Sequence, residues 1–231
     1  MYSIGRRNQR KRDQTEIYLS YSYLGPIRAS EISPFPLIQL NETTIQPGAE
    51  FQIELLPDTD LLLYPLEQSF ETAPAEGEFS LVENGKVCRV TTAEEASFLQ
   101  FRNPSKNQKC RFLEFWIGNP PESCEPSFEV FDVGRQKGFF AFFPIASGQS
   151  HENALPLHGD LAFYLSSLRP NENLIFETTM DRKSFVFVID GSVKVEEDRI
   201  ITGDTAILYR QTPVELSAQQ RTILFFVDLP E

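Results

Sequence analysis

Short apolar runs separated by turn residues constrain this chain more than any other feature. Phe79-Ser80-Leu81-Val82 and Val87-Cys88-Arg89-Val90 flank Glu83-Asn84-Gly85-Lys86. Asn and Gly both tolerate positive φ, so the segment reads as a β-hairpin. Similar runs recur at 111–117, 139–143, 161–165, 174–177, 184–189, 192–196, 206–209 and 222–227. Ser192-Val193-Lys194-Val195-Glu196 alternates as a strand with one wet face does, and Asp190-Gly191 supplies the turn before it. Helical periodicity is confined to Ala93–Phe101, which in isolation suits a short amphipathic helix. Twenty Phe and seven Tyr strengthen the β reading, because aromatic rings favour strands. Many short strands with closely spaced turns predict an all-β sandwich or barrel.

A chain of 231 residues is long enough for one large or two small domains. Its net charge of −12 repels phosphate backbones and anionic lipid, so neither nucleic acid nor membrane is expected as a partner. The local exception is Arg6, Arg7, Arg10, Lys11 and Arg12. Such a cluster suits a nuclear-import or nucleic-acid patch, but a solvated tail or a strand with charged flanks is the simpler reading. No apolar stretch approaches the roughly 20 residues that span a bilayer, and no apolar segment follows the basic start as in a signal peptide. Cys88, Cys110 and Cys124 are odd in number and irregularly spaced, which points to reduced thiols and a cytoplasmic location.

The two halves carry a weak internal echo. Gln46-Pro47-Gly48 precedes one strand, and Arg169-Pro170-Asn171-Glu172 precedes another. Thr202-Gly203-Asp204 before Ala206-Ile207-Leu208 also reads as a turn into a strand. Two stacked jelly rolls follow, which hide most strand edges. The expected division is 1–118, including an N-terminal strand segment, a connector at 119–138 and a second unit at 139–231. Pro120, Pro121 and Pro126 mark that connector.

The stretch Ile45 to Gln68 resembles the first cupin motif of the pirin family. Glu94 to Ser105, Arg111 to Pro120 and the Asp228-Leu229-Pro230 ending resemble later segments. The resemblance implies a bicupin, an all-β chain of two jelly-roll β-barrels. In that family three His and one Glu hold iron or another divalent metal in the N-terminal barrel, and quercetinases use it to open a flavonol ring with dioxygen. Here the first two ligand positions fall on Glu54 and Leu56, and the other two on Leu99 and Phe101. These four become the candidate pocket. Leu and Phe offer no lone pairs, so no cofactor is expected and the protein is read as a non-catalytic binder of a small molecule or a protein. The alternatives are a quercetin 2,3-dioxygenase with substitute ligands, using iron or another divalent metal, and a regulatory interaction protein.

The remaining chemistry is sparse. Glu54 pointing inward would need Arg89 or Arg102 as a partner, and otherwise it is an exposed strand residue. Asp58 and Asp60 share parity with Glu54, but Pro57 breaks the strand and leaves them as turn residues facing water. His151 and His158 read as solvated or turn-capping loop residues, with no nucleophile–base geometry. Gly134-Arg135-Gln136-Lys137-Gly138 lacks the ending of a phosphate-binding loop and reads as a basic turn.

Overall fold

The computed structural model describes residues 2–24, 36–93, 97–118, 125–134, 138, 140–177, 179–209 and 213–231. In chain order the strands begin with β1 (Tyr2–Gly5), β2 (Lys11–Gln14), β3 (Tyr18–Leu24), β4 (Leu37–Ile45), β5 (Glu50–Leu55), β6 (Thr59–Glu67), β7 (Phe70–Pro74) and β8 (Ser80–Val82). Then come β9 (Lys86–Thr91), β10 (Ser97–Arg102), β11 (Cys110–Gly118), β12 (Ser127–Asp132), β13 (Phe140–Ser147), β14 (Leu155–Pro156) and β15 (Ala162–Leu168). The last are β16 (Asn173–Phe176), β17 (Arg182–Asp190), β18 (Ser192–Val195), β19 (Asp198–Ile201), β20 (Thr205–Tyr209), β21 (Val214–Ala218) and β22 (Thr222–Pro230). A single 3-10 turn, Arg7–Gln9, is the one helical element among the described residues.

The chain forms two jelly-roll units. In the first, the sheet β12-β9-β6-β11-β4-β3-β2 is paired with a smaller sheet, β5-β10-β7-β8. In the second, β1-β20-β17-β22-β15-β13-β14 is paired with β16-β21-β18-β19. The expected closed barrels are therefore pairs of separate sheets, each with edge strands. Among the described residues, apolar rows meet in a core within each unit. Leu61, Leu63, Phe70, Leu99, Phe101 and Phe112 build the first, and Val186, Val188, Leu208, Leu224 and Phe226 build the second.

Three local expectations change. Asn84-Gly85 does not close a hairpin, because β8 lies in the smaller sheet and β9 in the larger one. Gly85, at φ +93°, and Gly191, at φ +97°, are corners where the chain steps between sheets. Positive φ provides a sharp reversal, but only tertiary packing decides which strand the reversed chain joins. The short helix read over Ala93–Phe101 is instead strand β10 from Ser97, and 94–96 lie outside the described residues. Here Phe98, Leu99 and Phe101 pair with β5, and ladder pairing overrides helical spacing.

The division of the chain also differs. One unit holds Met1–Arg10 and Lys137–Glu231 with Pro34–Pro36, and the other holds Lys11–Ser33 and Leu37–Gln136. The first strand thus joins the C-terminal jelly roll, and the expected connector contributes β12, which pairs with β9. Tyr2 to Gly5 pair with Leu208 to Thr205, while Tyr2 and Ile4 pack on the second core. Charge secures the join. Arg6 donates to Asp204 Oδ2 at 2.9 Å and to the Arg199 carbonyl at 2.6 Å. The Arg7 backbone N–H donates to Asp204 Oδ1 at 2.9 Å, and Arg10 donates to Thr205 at 2.6 Å. The basic N-terminus is an anchored strand rather than a solvated tail. Asp204 is 3% exposed, so Asp204→Ala should cost about 2 kcal/mol through lost charge-assisted hydrogen bonds. Urea unfolding of the full chain measures it, and Arg6→Ala should cost less because water reaches that side chain.

Candidate functional site

The strand pleat decides where the four candidate residues point. On β5, Phe51, Ile53 and Leu55 turn inward, while Glu50, Gln52 and Glu54 are exposed. Leu99 lies opposite Ile53, Phe101 opposite Phe51, and Phe98 opposite Glu54. Residues directly opposite share a face, so Glu54 lies outside with Phe98. Leu56, past the strand end, is 42% exposed. Leu99 and Phe101 are fully buried. The expected pocket therefore does not form: two of its residues face water and two are core. The arginines expected beside Glu54 are engaged elsewhere. Arg102 bonds Glu71 at 2.6 Å and covers the Phe79 ring at 4.0 Å, and Arg89 bonds Glu129 at 3.2 Å.

Aromatic rings fill the space behind this face. Tyr18 stacks on Phe51 at 4.7 Å, Phe51 on Phe101 at 5.3 Å, Phe101 on Phe112 at 5.1 Å and Phe112 on Phe70 at 4.3 Å. Phe101→Ala should cost about 3–5 kcal/mol through lost burial and a residual cavity, as read from chemical denaturation.

Beside this stack the same lumen becomes polar. Register explains why. Asn41 lies opposite Glu114 and Thr43 opposite Phe112. Ser20 lies opposite Thr43 and Ser22 opposite Asn41. Lys11 and Asp13 lie opposite Ser22 and Ser20. One face thus carries a band of hydroxyls, amides and charges across β2, β3, β4 and β11. These residues, with Tyr18, Gln39 and Arg12, and with Phe51 and Ile53 as an apolar wall, line a cavity of about 430 Å³. Glu114 lies at its buried end, 4% exposed. Thr43 Oγ1 donates to one carboxyl oxygen of Glu114, and Asn41 donates to the other at 3.3 Å. Gln39 donates to Asn41 at 3.0 Å, Thr43 contacts Ser20 at 3.0 Å, and Tyr18 donates to Asp13 at 2.7 Å.

Burial pushes the Glu114 carboxyl above its usual 4.5, and donors from Thr43 and Asn41 oppose the shift only in part. The sequence contained a signal for this site: Glu114 is the lone charge in Phe112-Leu113-Glu114-Phe115-Trp116-Ile117. A carboxyl that keeps its proton in the fold stabilises it fully below the unfolded-state value. That contribution fades as pH rises towards the folded-state value. Glu114→Gln lacks this titration, so its stability relative to the parent should rise as pH increases above the ordinary carboxyl value of 4.5. Denaturant unfolding of both proteins across that range measures the difference.

Other candidates resolve differently. Asp58 occupies a turn at φ +49°. Asp60, expected to face water, is fully buried on β6 and accepts from Thr91 at 2.6 Å. β6 continues through this position, so the carboxylate lies within the ladder. His158 is exposed. His151 is half-buried, with Nδ1 at 2.8 Å from Ser147 Oγ and Nε2 at 2.9 Å from the Tyr164 hydroxyl. Burial and the Asp228 charge push Tyr164 up to about 12. Cys124 lies outside the described residues, and the 134–138 turn is described only at its two glycines.

Residues 144–229 match the family model for the quercetinase C-terminal cupin domain. The quercetin 2,3-dioxygenase of Escherichia coli K12 is 21% identical over 193 residues, 83% of this chain and 81% of that protein. Pirin-like protein YhaK of the same organism is 24% identical over 198 residues, 83% of this chain and 82% of that protein. The crystal structure of the bacterial pirin YhhW from Escherichia coli, in complex with nickel(II), has a TM-score of 0.86 at 19% identity. That match covers 100% of this chain and 99% of YhhW. These similarities support a pirin-like, quercetinase-type cupin, and the shared architecture is a bicupin.

The nickel in YhhW invites a test of fit. Transition ions take imidazole, thiolate or carboxylate donors that converge on one point. The inward rows of β5 and β10 present Phe51, Ile53, Leu55, Leu99 and Phe101. Among the described residues no group of three or more His, Cys, Asp or Glu is placed to hold an ion. The side chains on these two strands do not fit such a metal.

Proposed function

We propose that this protein is a pirin-like bicupin that binds a small molecule in the polar pocket around Glu114, without metal and without catalysis, in the cytoplasm. The observation that carries the reading is the split lumen. Where the family's metal ligands are expected, hydrocarbon and stacked rings occupy the inner face. Alongside, a polar band borders a cavity of about 430 Å³, within the usual range for small-molecule sites of about 300–1,000 Å³. Burial and free thiols at Cys88 and Cys110 suit a reducing compartment. No helix among the described residues is long and apolar enough to cross a membrane.

The dioxygenase alternative draws on the match over residues 144–229, but a shared domain does not carry a shared reaction. The interaction-protein alternative drew on the basic N-terminus, whose Arg6, Arg7 and Arg10 are engaged with the chain's own C-terminal unit.

Two measurements test the proposal. Quercetin with added iron(II) in air should bleach no faster with the protein than with iron alone. Small polar molecules found to bind by ligand-observed NMR should lose binding in Ser22→Trp, which fills the cavity while leaving the aromatic stack intact. Protein-dependent bleaching, or hits that ignore Ser22→Trp, would count against the reading.

A further inference from the structure

On the premise that the polar lumen is a binding site, strand register fixes what it can recognise. Directly opposite residues share a face. One row crosses the strands as Lys11, Ser22, Asn41 and Glu114, and the next as Asp13, Ser20 and Thr43. The second row continues into Phe112, a core ring, so both rows face the lumen. Rows on one face lie about 7 Å apart and neighbouring strands about 4.8 Å apart, so this polar grid measures about 7 by 14 Å, the scale of one small molecule.

The grid carries no charge that would select an anion. Lys11 and Asp13 head adjacent rows on the same face of β2, and their charges offset each other. Arg12 turns to the other face with Gln14, to which its guanidinium donates. Glu114, at the far end of its row, adds no positive charge in either protonation state. What the grid offers is open hydrogen-bonding capacity. Ser22 Oγ has no hydrogen-bond partner among the described residues. Gln39 donates one N–H to Asn41, and Asn41 donates one to Glu114. Each amide keeps a second N–H, and Gln39 keeps its carbonyl oxygen. These open groups both donate and accept. A hydroxyl does both, whereas an ether or ketone only accepts and an ammonium only donates. A ligand that enters must replace water at several of these groups, and one with many hydroxyls does so without stranding polar atoms. Ring stacking is closed off at the apolar wall, because Tyr18 and Phe101 already cover both faces of Phe51.

We infer that the pocket takes a small uncharged polyhydroxylated molecule, a monosaccharide or an acyclic polyol, with its hydroxyls across Ser22, Gln39 and Asn41 and its carbon frame against Ile53. The family match assigns no such ligand, and the recognition needs no metal.

Isothermal titration of the full chain with D-glucose, sorbitol, D-gluconate and catechol tests it. Glucose, sorbitol or both should bind, and comparing them distinguishes a ring from an open chain. Gluconate, which carries a carboxylate, should bind no tighter than sorbitol. Catechol, flat and with two hydroxyls, should bind about tenfold or more weaker than the better polyol, the ratio expected for the missing hydrogen bonds. In Ser22→Ala/Gln39→Leu, which removes polar atoms without filling the cavity, polyol binding should weaken about tenfold. Ser22→Trp should abolish it, and circular dichroism checks that both variants are folded. Gluconate or catechol binding tighter than both polyols, or polyol binding that is unchanged in Ser22→Ala/Gln39→Leu, overturns the assignment. If neither polyol binds while other small molecules bind and are lost in Ser22→Trp, the ligand class is wrong and the pocket stands. If no binding responds to Ser22→Trp, the site falls as well.

Discussion

The pleat of β5 against β10 is the constraint from which the rest follows. Because Phe51 and Ile53 turn inward opposite Phe101 and Leu99, Glu54 turns outward with Phe98. The inward rings then stack from Tyr18 through to Phe70. Each fully buried ring contributes roughly 1.5–3 kcal/mol of transfer free energy, so this face of the lumen is strongly committed to being core. A donor placed there would have to be desolvated among rings with no counter-charge, a cost of several kcal/mol. The jelly roll is kept, and this part of its interior serves packing.

The polar band is possible because it lies to one side of that stack. Glu114 shares its strand face with Phe112 and Trp116, yet its cross-strand neighbour is Asn41 rather than a ring. One strand thus carries apolar packing and a buried carboxyl on the same face, beside the polar row Gln39, Asn41 and Thr43 of β4. Burial raises the pull of this carboxyl on its proton, and Thr43 and Asn41 donate to its oxygens. The N-terminal segment also serves two roles. Its first arginines lock a strand onto the C-terminal unit, while Lys11 and Arg12 lie on β2 and line the cavity.

Much of the fold was legible from spacing. The all-β class and most later strands follow from alternation and turn residues, because both are local. Partner choice was not legible. Asn84-Gly85 looks like a hairpin and is a corner between sheets, since the turn alone does not specify which strand lies beside it. The assignment of residues 1–10 failed for a related reason: β1 pairs with β20 across some 200 positions, and no local signal encodes that. At the site, aligning Glu54, Leu56, Leu99 and Phe101 with metal ligands grouped residues that the fold separates, two exposed and two buried. Which parity of β5 faces inward depends on β10, which no single strand reveals. The lone Glu114 in an apolar run was visible, but its meaning came only with Asn41 and Thr43 beside it.

Diffraction from crystals soaked in nickel(II), with anomalous data collected at the nickel edge, tests the central claim most directly. The account predicts no anomalous peak within the lumen bounded by Phe51, Ile53, Leu99 and Phe101. A fully occupied peak there, coordinated by side chains of this chain, would contradict it.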